Sequence, residues 1–282
     1  MNQNGNYDAV LLDLDGTLLD GQGKIRPRNA SVLRALSESG IEVMIATGRS
    51  TRATLPVVHE LGLDSPMLVF NGAGIYCPKE GKLIEERILS NRVMERALRF
   101  AKERNLLTVV QKAEAKFASP ANTHDERRAL EFFHGLEVLD SHDLPDEYVI
   151  RVIYYSADHD SCQALQDDVQ VALDAPLFLT NFPLNLLVSH RDSPLHVVDV
   201  HPPSRGKAEG LRFLQETHGI APERVVAIGD ASNDLDMLEA AGLGVAMGGS
   251  SQRVQNSADR VIGHHDSDAI ADLLQELFVG RC

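Results

Sequence analysis

The chain has 282 residues, which exceeds the usual size of one domain and predicts one large domain or two modest ones. Hydrophobic residues make up 43% of the chain and charged residues 24%, as in an ordinary globular protein. The net charge of −14 argues against non-specific binding to nucleic acid or to anionic lipid, because these polyanions would be repelled.

The first and last parts of the chain alternate short apolar strands with helical patterns. In the first part the pattern predicts strands at 9–12, 41–46 and 67–70, with helices at 29–39 and 51–61. In the last part it predicts strands at 195–200, 224–228 and 244–246, with helices at 205–218, 233–241 and 267–278. Strands that alternate with helices indicate βαβ units and a parallel sheet.

The middle of the chain has a different pattern. It predicts helices at 90–104, 123–134 and 159–173, and strands at 107–111, 149–155, 177–179 and 184–188. This mixture is typical of an α+β insert. We therefore predict a doubly wound, Rossmann-like α/β core formed by residues 1–82 and 193–282, interrupted by an α+β cap at 83–192.

Three predicted core strands each end in a polar cluster, at 13–17, 47–49 and 229–234. Ligands of open parallel sheets bind in the crevice beyond the carboxyl ends of the strands, so these clusters should converge. Asp13 and Asp15 are two residues apart and point to the same side of an extended chain. Asp230 would add a third carboxylate from a nearby strand. The sequence therefore predicts one acidic site at this edge of the sheet.

Converging carboxylates repel one another unless a cation neutralises them. Hard oxygen ligands of this kind suit Mg²⁺, which typically keeps waters and takes a phosphate oxygen of the substrate. Thr47, Arg49 and Lys207 can supply the hydrogen-bond donors and positive charge that a transferring phosphoryl group needs. The residues thus favour magnesium-dependent phosphoryl chemistry.

The motifs together resemble those of the haloacid dehalogenase superfamily of phosphohydrolases, and more narrowly its Cof-like branch with a type IIB cap. The resemblance rests on Asp-Leu-Asp-Gly-Thr at 13–17, Thr-Gly-Arg at 47–49, Lys207, Gly-Asp at 229–230 and Asn-Asp at 233–234. Phe-Asn-Gly-Ala at 70–73 also looks like the family's Asn-Gly-Ala segment. The matched segments frame the predicted core, whereas the cap matches in size and placement only.

The resemblance implies a role for each acidic residue. Asp13 would be the nucleophile that forms an aspartyl-phosphate. Asp15 would protonate the leaving oxygen and then deprotonate the attacking water. Mg²⁺ would be bound by Asp13, by the carbonyl of Asp15 and by Asp230, with Asp234 close by or in an outer position.

The resemblance also implies the phosphate-binding groups. Thr47 and Lys207 would hold the phosphoryl oxygens, helped by backbone N–H groups near Leu14 and Gly48. Asn233 would either contact the phosphate or cap the helix that follows it.

Some residues keep alternative interpretations. Thr47 could also cap a helix, Arg205 is a rival cation to Lys207, and Arg49 could serve on a helix surface. The fourth motif departs from the usual Gly-Asp-Gly form, because Ala231 stands where the family more often has glycine. His264, His265 and the other histidines show no i,i+4 metal pairing and are expected to be ordinary surface or core residues.

The expected function is hydrolysis of a small phosphomonoester, with sugar phosphates favoured and pyridoxal phosphate or flavin mononucleotide next. A phosphosugar mutase and a non-enzymatic metabolite-binding protein remain the alternatives. The expected partner is a small phosphorylated metabolite, with no nucleic acid and no membrane, and the chain would be a monomer or a homodimer.

The sequence further predicts a cytoplasmic protein. The N-terminus lacks the basic and apolar regions of a signal peptide, and no apolar run approaches the roughly 20 residues that cross a bilayer. The cysteines, Cys77, Cys162 and Cys282, have no metal-binding spacing and are expected to be idle thiols in a reducing compartment.

Overall fold

A computed structural model describes residues 7–131 and 133–280. The predictions for the N-terminal residues 1–6 and for Cys282 lie outside the described residues, as does Phe132 in the helix predicted at 123–134. The described strands are β1 (Ala9–Leu12), β2 (Glu42–Ile45), β3 (Met67–Val69), β4 (Gly74–Cys77), β5 (Lys82–Glu86), β6 (Leu107–Gln111), β7 (Lys116–Ala118), β8 (Leu136–Val138), β9 (Arg151–Ser156), β10 (Phe178–Pro183), β11 (His196–His201), β12 (Val225–Gly229), β13 (Leu243–Ala246) and β14 (Arg260–Val261). The described α-helices are α1 (Pro27–Glu38), α2 (Thr51–Leu61), α3 (Asn91–Glu103), α4 (His124–Leu130), α5 (Cys162–Leu173), α6 (Glu209–His218), α7 (Leu235–Ala240), α8 (Gln252–Ser257) and α9 (Ala269–Leu277).

The chain forms two compact units, one of Met1–Glu85 with Arg205–Cys282 and the other of Glu86–Ser204. We call the first the core unit and the second the insert unit. None of the helices among the described residues combines the length and apolarity needed to cross a bilayer.

The core unit is built on a parallel sheet in the order β14-β13-β12-β1-β2. Strand β1 lies inside the sheet between β12 and β2, and all four of its residues are fully buried, as expected when helices cover both faces of a parallel sheet. Ala9 and Leu11 pack in one apolar cluster with Leu214 of α6 and Met237 of α7. The predicted α/β fold with a parallel core sheet is therefore confirmed.

The insert unit contains a mixed six-stranded sheet in the order β10-β11-β9-β6-β7-β8. Helices α3 and α5 share an apolar cluster with one of its faces, which includes Val110, Val152 and Val198. Tyr154 lies in this cluster, where its hydroxyl donates a 2.9 Å hydrogen bond to the carbonyl of Ala97 in α3. The predicted α+β character of the insert is confirmed.

Two strand predictions near the end of the insert need correction. The strand predicted at 184–188 is wrong, because this segment forms two 3₁₀ turns, Leu184–Leu186 and Val188–His190. The strand predicted at 195–200 exists as β11, but it pairs antiparallel with β9 and β10 rather than joining the parallel core sheet. A short apolar run marks a buried strand without specifying its partner, which explains the second error.

The insert sheet also buries a charged cluster. Arg151 lies 3.3 Å from Asp199 through Nη1 and Oδ2, and its Nε donates to Gln111 Oε1 at 3.1 Å. Burial raises the pKa of Asp199, an effect that Arg151 opposes. His201 Nε2 is 3.9 Å from the same carboxylate and is fully buried. Burial, with a smaller contribution from Arg151, holds the pKa of His201 well below its usual range.

We predict that His201 makes the fold sensitive to acid. The unfolded chain takes up a proton at this imidazole near pH 6.5 whereas the folded chain does not, so the free energy of unfolding falls as the pH drops below that value. Between pH 7 and pH 5 the loss should reach up to about 2 kcal/mol. Urea unfolding at both pH values should show a smaller loss for His201→Gln than for the native chain. The exposed His142→Gln serves as control, and equal losses in all three proteins would contradict the prediction.

Candidate active site

The predicted polar clusters converge at the carboxyl end of the core sheet. Leu12, the last residue of β1, is in register with Ile45 of β2 and with Ile228 of β12. The backbone continues this pairing, since the N–H of Asp13 donates to the carbonyl of Ile228 at 3.0 Å and that of Ala46 donates to Leu12 at 2.9 Å. The segments beginning at Asp13, Thr47 and Asp230 therefore start side by side.

Lys207 joins two acidic residues at the centre of the site. Its ammonium Nζ lies 2.6 Å from Asp13 Oδ1 and 2.6 Å from Asp234 Oδ1. All three side chains are buried, with exposed fractions of at most 5%. Lys207 occupies a 3₁₀ turn, Gly206–Ala208, that leads into α6, so the predicted helix at 205–218 begins with this turn. The structure places Lys207 rather than Arg205 against Asp13.

The charges at this centre do not balance. Burial raises the pKa of Asp13 well above its usual range, Lys207 opposes that shift, and Asp234 and Asp230 add to it. Burial, reinforced by Asp234, raises the pKa of Asp230 to about 6, against the opposing effects of the Thr17 hydroxyl and Lys207. Burial alone would lower the pKa of Lys207, but Asp13 and Asp234 outweigh it and raise that pKa. One ammonium group thus faces an excess of carboxylates.

A divalent cation fits this excess of negative charge. Oxygen atoms of Asp13, Asp230 and Asp234 all lie within 4.8 Å of one another and could hold a metal ion. The three carboxylates form an all-oxygen donor set, which suits a hard cation. Asp234 is the most constrained of them, because its Oδ2 accepts the backbone N–H groups of Asp230 and Ala231, both at 2.9 Å.

Asp15 is placed differently from the buried carboxylates. Its side chain is 60% exposed and is not part of the metal-binding group. The Arg49 guanidinium donates two hydrogen bonds to the Asp15 carboxylate, from Nε to Oδ2 at 2.7 Å and from Nη2 to Oδ1 at 2.5 Å. Such a two-point contact fixes the orientation of a carboxylate as well as its position. Arg49 therefore lies against Asp15, the predicted acid and base, and precedes the helix α2.

The loop after β2 is organised by Thr47. The Thr47 hydroxyl oxygen accepts the backbone N–H of Arg49 at 3.1 Å, so the proton of that hydroxyl remains to be donated elsewhere. Its backbone N–H donates to the carbonyl of Leu68 in β3 at 2.9 Å. The side chain is almost fully buried, at 1% exposure.

Asn71 joins this loop to the loop after β12, a contact that sequence reasoning missed. Asn71 Oδ1 accepts a hydrogen bond of 3.0 Å from Asn233 Nδ2. The Asn71 amide also lies so close to Gly48 that a Cβ there would be 2.9 Å from Oδ1. The sequence signals were an Asn-Gly pair directly after a predicted strand and the resemblance of residues 70–73 to the family's Asn-Gly-Ala segment, and neither indicated this contact.

The turn that carries Asn71 is held in an unusual conformation. Phe70, Asn71 and Gly72 have consecutive φ angles of 52°, 50° and 93°, which L-residues with side chains rarely adopt. A Cβ at Gly72 would lie 2.2 Å from the carbonyl oxygen of Gly206. Only glycine therefore allows this turn to contact the turn that presents Lys207, and the strain is retained next to a functional centre.

The loop after β1 makes a similar close approach. Gly16 has a φ of 79°, and a Cβ there would lie 2.4 Å from Asp230 Oδ2. Thr17 then donates its hydroxyl proton to Asp230 Oδ1 at 2.9 Å. Leu14, which follows Asp13, is fully buried, and its carbonyl accepts the N–H of Leu19 at 2.8 Å.

The departure at Ala231 is accommodated without strain. Ala231 has φ −117° and ψ 172°, an extended conformation that any residue adopts. The backbone N–H of Ala231 still donates to Asp234 Oδ2 at 2.9 Å. The loop therefore does not require glycine at this position.

The chain is similar to known proteins along nearly its whole length. The family model of haloacid dehalogenase-like hydrolases matches residues 10–274. The chain is 28% identical over 279 residues to a 5-amino-6-(5-phospho-D-ribitylamino)uracil phosphatase of Bacillus subtilis, covering 95% of this chain and 97% of that protein. It is 28% identical over 290 residues to a pyridoxal phosphate phosphatase of Escherichia coli, covering 94% and 97% of the two chains.

A solved structure supports the same fold. A sugar phosphatase of subclass IIB of this superfamily superposes with a TM-score of 0.78 at 19% sequence identity, covering 96% of this chain and 99% of that one. The chain belongs to the haloacid dehalogenase-like hydrolase family. Within that family it is a phosphatase, a hydrolase of phosphoric monoesters, and its fold is that of a subclass IIB member.

We predict that the Lys207 ammonium stabilises the fold as well as the site. In Lys207→Met, Asp13 and Asp234 would lose their buried cation, and breaking such a buried pair typically costs about 3–5 kcal/mol. The deficit should be larger at pH 8 than at pH 5, because protonation at low pH relieves the unpaired carboxylates.

Chemical unfolding in the presence of a chelator measures this cost, since no divalent ion can then replace the ammonium. Lys24→Met, at an exposed position, is the matched control and should match the native chain. A Lys207→Met protein as stable as this control at pH 8 would contradict the prediction.

Proposed function

We propose that the chain is a Mg²⁺-dependent phosphatase in which the carboxylate of Asp13 attacks the phosphorus of a small phosphomonoester. The observation that carries this proposal is the placement of Asp13, buried at the end of β1 with one oxygen held by Lys207. A nucleophile fixed in this way avoids the entropy cost of positioning it during reaction. Attack forms a bond between an Asp13 oxygen and phosphorus and breaks the bond to the leaving oxygen.

The metal site supports the same proposal. We assign Asp13, the backbone carbonyl of Asp15, and Asp230 as ligands of Mg²⁺, with Asp234 supporting the loop that carries Asp230. When bound, Mg²⁺ supplies positive charge that offsets the carboxylates and polarises a phosphoryl oxygen. Asp234 is better placed for a supporting role, because its two oxygens already accept the Lys207 ammonium and two backbone N–H groups.

The remaining donors are proposed to bind the phosphoryl group. The Thr47 hydroxyl can donate its proton, and Lys207 contributes the nearby positive charge. Backbone N–H groups of Leu14 and Gly48 and the side chain of Asn233 complete the proposed set. Donors held in place before the reaction stabilise the charge of the transition state without reorganising.

Asp15 is the proposed general acid and base. Its carboxyl gives a proton to the leaving oxygen when the first bond breaks. It then takes a proton from a water molecule, which attacks the phosphorus and releases Asp13 and inorganic phosphate. Arg49 contacts both oxygens of Asp15, so the acid step requires Asp15 to move off Arg49 and carry a proton. The exposure of Asp15 gives it room for that movement.

The proposed substrate is a small phosphorylated metabolite, with sugar phosphates first and pyridoxal phosphate or flavin mononucleotide next. The named activities of the relatives support this range, since they include a ribityl phosphate, pyridoxal phosphate and sugar phosphates. We further propose that the insert determines which leaving group is accepted. Whether the chain acts as a monomer or a homodimer stays a prediction.

A panel of phosphometabolites tests the function directly. We expect release of inorganic phosphate from sugar phosphates in the presence of Mg²⁺ and loss of that release when a chelator is added. Accumulation of an isomeric phosphosugar without phosphate would instead identify a mutase. Binding without any turnover, even with Mg²⁺, would identify a metabolite-binding protein and contradict the proposal.

The role of Asp13 has a sharper test. Asp13→Asn should lower turnover of an aryl phosphate by at least roughly a thousandfold, because the amide is a poor nucleophile. Asp64→Asn, at an exposed position, should retain activity. A chiral phosphate ester should be hydrolysed with retention of configuration at phosphorus, because two in-line displacements each invert it. Net inversion would show direct attack by water and would contradict the covalent intermediate.

A further inference from the structure

A second group of metal-binding side chains lies outside the active site. Within the described residues, potential ligand atoms of His264, His265 and Asp266 all lie within 4.8 Å of one another. These residues occupy the loop between β14 and α9, with 265–268 in a turn. These histidines were expected to be ordinary surface or core residues, because they lack the i,i+4 spacing of metal ligands on a helix. That spacing does not apply to consecutive residues in a turn.

We propose that His264, His265 and Asp266 form a binding site for a divalent transition metal such as Zn²⁺, distinct from the proposed Mg²⁺ site. The donor set of two imidazoles and one carboxylate suits zinc and its neighbours, whereas Mg²⁺ prefers oxygen ligands alone. This inference does not depend on the proposed catalytic mechanism.

Each imidazole approaches a different oxygen of the carboxylate, at a distance near that between neighbouring ligands of a tetrahedral centre. His264 Nδ1 lies 3.3 Å from Asp266 Oδ2, and His265 Nε2 lies 3.7 Å from Asp266 Oδ1. Zinc bonds of about 2.0–2.2 Å place neighbouring ligand atoms about 3.3–3.6 Å apart. The backbone N–H of Asp266 also lies 3.3 Å from His264 Nδ1, a weak contact that a metal bond would replace.

The carboxylate ligand is already anchored. Asp266 Oδ1 accepts the backbone N–H of Gly21 at 2.8 Å, which leaves Oδ2 directed toward His264. Hydrogen bonding to the second oxygen of a ligating carboxylate is the usual support of a metal site. That contact, followed by the effects of His265 and His264, holds the pKa of Asp266 below its usual range.

The orientation of His264 is also set by its surroundings. A Cβ at Gly249 would lie 2.9 Å from Cδ2 and 3.0 Å from Nε2 of His264, so the ring edge packs against bare backbone. The rings of His264 and His265 lie 4.0 Å apart between centroids at 35°. With Nε2 toward Gly249, Nδ1 is the nitrogen presented to Asp266.

The local charge favours a cation. Three carboxylates, Asp20, Asp266 and Asp268, act on Arg26, and Asp268 pairs with it at 2.7 Å. These three carboxylates outnumber the one guanidinium on which they act. Asp266 already joins the loop at 264–268 to the loop at Gly21, which follows the Asp13–Thr17 segment.

Calorimetric titration with Zn²⁺ tests the site in the full chain, prepared without a histidine tag because such a tag binds the same metals. Excess Mg²⁺ is present throughout to occupy the carboxylate site at Asp13. We expect one equivalent of Zn²⁺ to bind per chain. His264→Ala and His265→Ala should each weaken that binding at least about tenfold, and Asp266→Asn should weaken it while keeping an acceptor for Gly21.

His142→Ala, at an exposed position, is the matched control and should bind as the native chain does. Titration with Co²⁺ should give a visible absorption band of nitrogen-coordinated cobalt in the native chain and the control, and this band should be lost in the two histidine variants. Zinc binding of equal strength in the native chain and both variants would overturn the proposal, and so would absence of binding to the native chain in excess Mg²⁺.

Discussion

The pairing of one buried ammonium group with two buried carboxylates is the interaction on which the active site depends. Lys207 could not be buried as a cation without Asp13 and Asp234, and neither carboxylate could be buried without Lys207. The pairing holds together the end of β1, the turn before α6 and the start of α7. It also leaves the centre short of positive charge once Asp230 is included. The stability of the site and its affinity for a divalent cation therefore have the same electrostatic origin.

Backbone geometry makes that pairing possible. The turn at 70–72 and the turn at 206–208 approach more closely than side chains would allow, and Gly72 has none. The loop at Gly16 approaches Asp230 in the same manner. Each contact brings a functional group within hydrogen-bonding distance of another strand's loop. The left-handed conformation of Phe70 and Asn71 costs free energy, and the surrounding contacts of Asn71 with Gly48 and Asn233 hold it in place.

The convergence of Asp13, Thr47 and Asp230 could be predicted from the sequence, because parallel strands place their carboxyl ends at one edge of a sheet. Lys207 follows no strand of that sheet, and it was expected from its charge and from the family resemblance. The pairing partner of β11 could not be predicted from the sequence. Its buried valines indicate a strand that is covered on both faces, but they do not indicate which strand lies beside it. The pairing of Arg49 with Asp15 and of Asn71 with Asn233 depends on loop conformations that spacing does not encode. The same holds for His264 and His265, whose rings meet a carboxylate only because their turn directs them there.

The contrast between Asp13 and Asp15 follows from what each would have to do. A nucleophile is most effective when it is fixed, and Asp13 is buried and held by Lys207. A group that exchanges protons with a leaving oxygen and with water must reach both, and the Asp15 carboxylate is exposed and contacts Arg49. Ligand chemistry would separate the two proposed metal sites in a similar way. Imidazole nitrogens favour zinc over magnesium. The all-carboxylate centre suits magnesium, the hard cation that phosphoryl transfer commonly uses. Each proposed site would therefore bind its own ion when both ions are present.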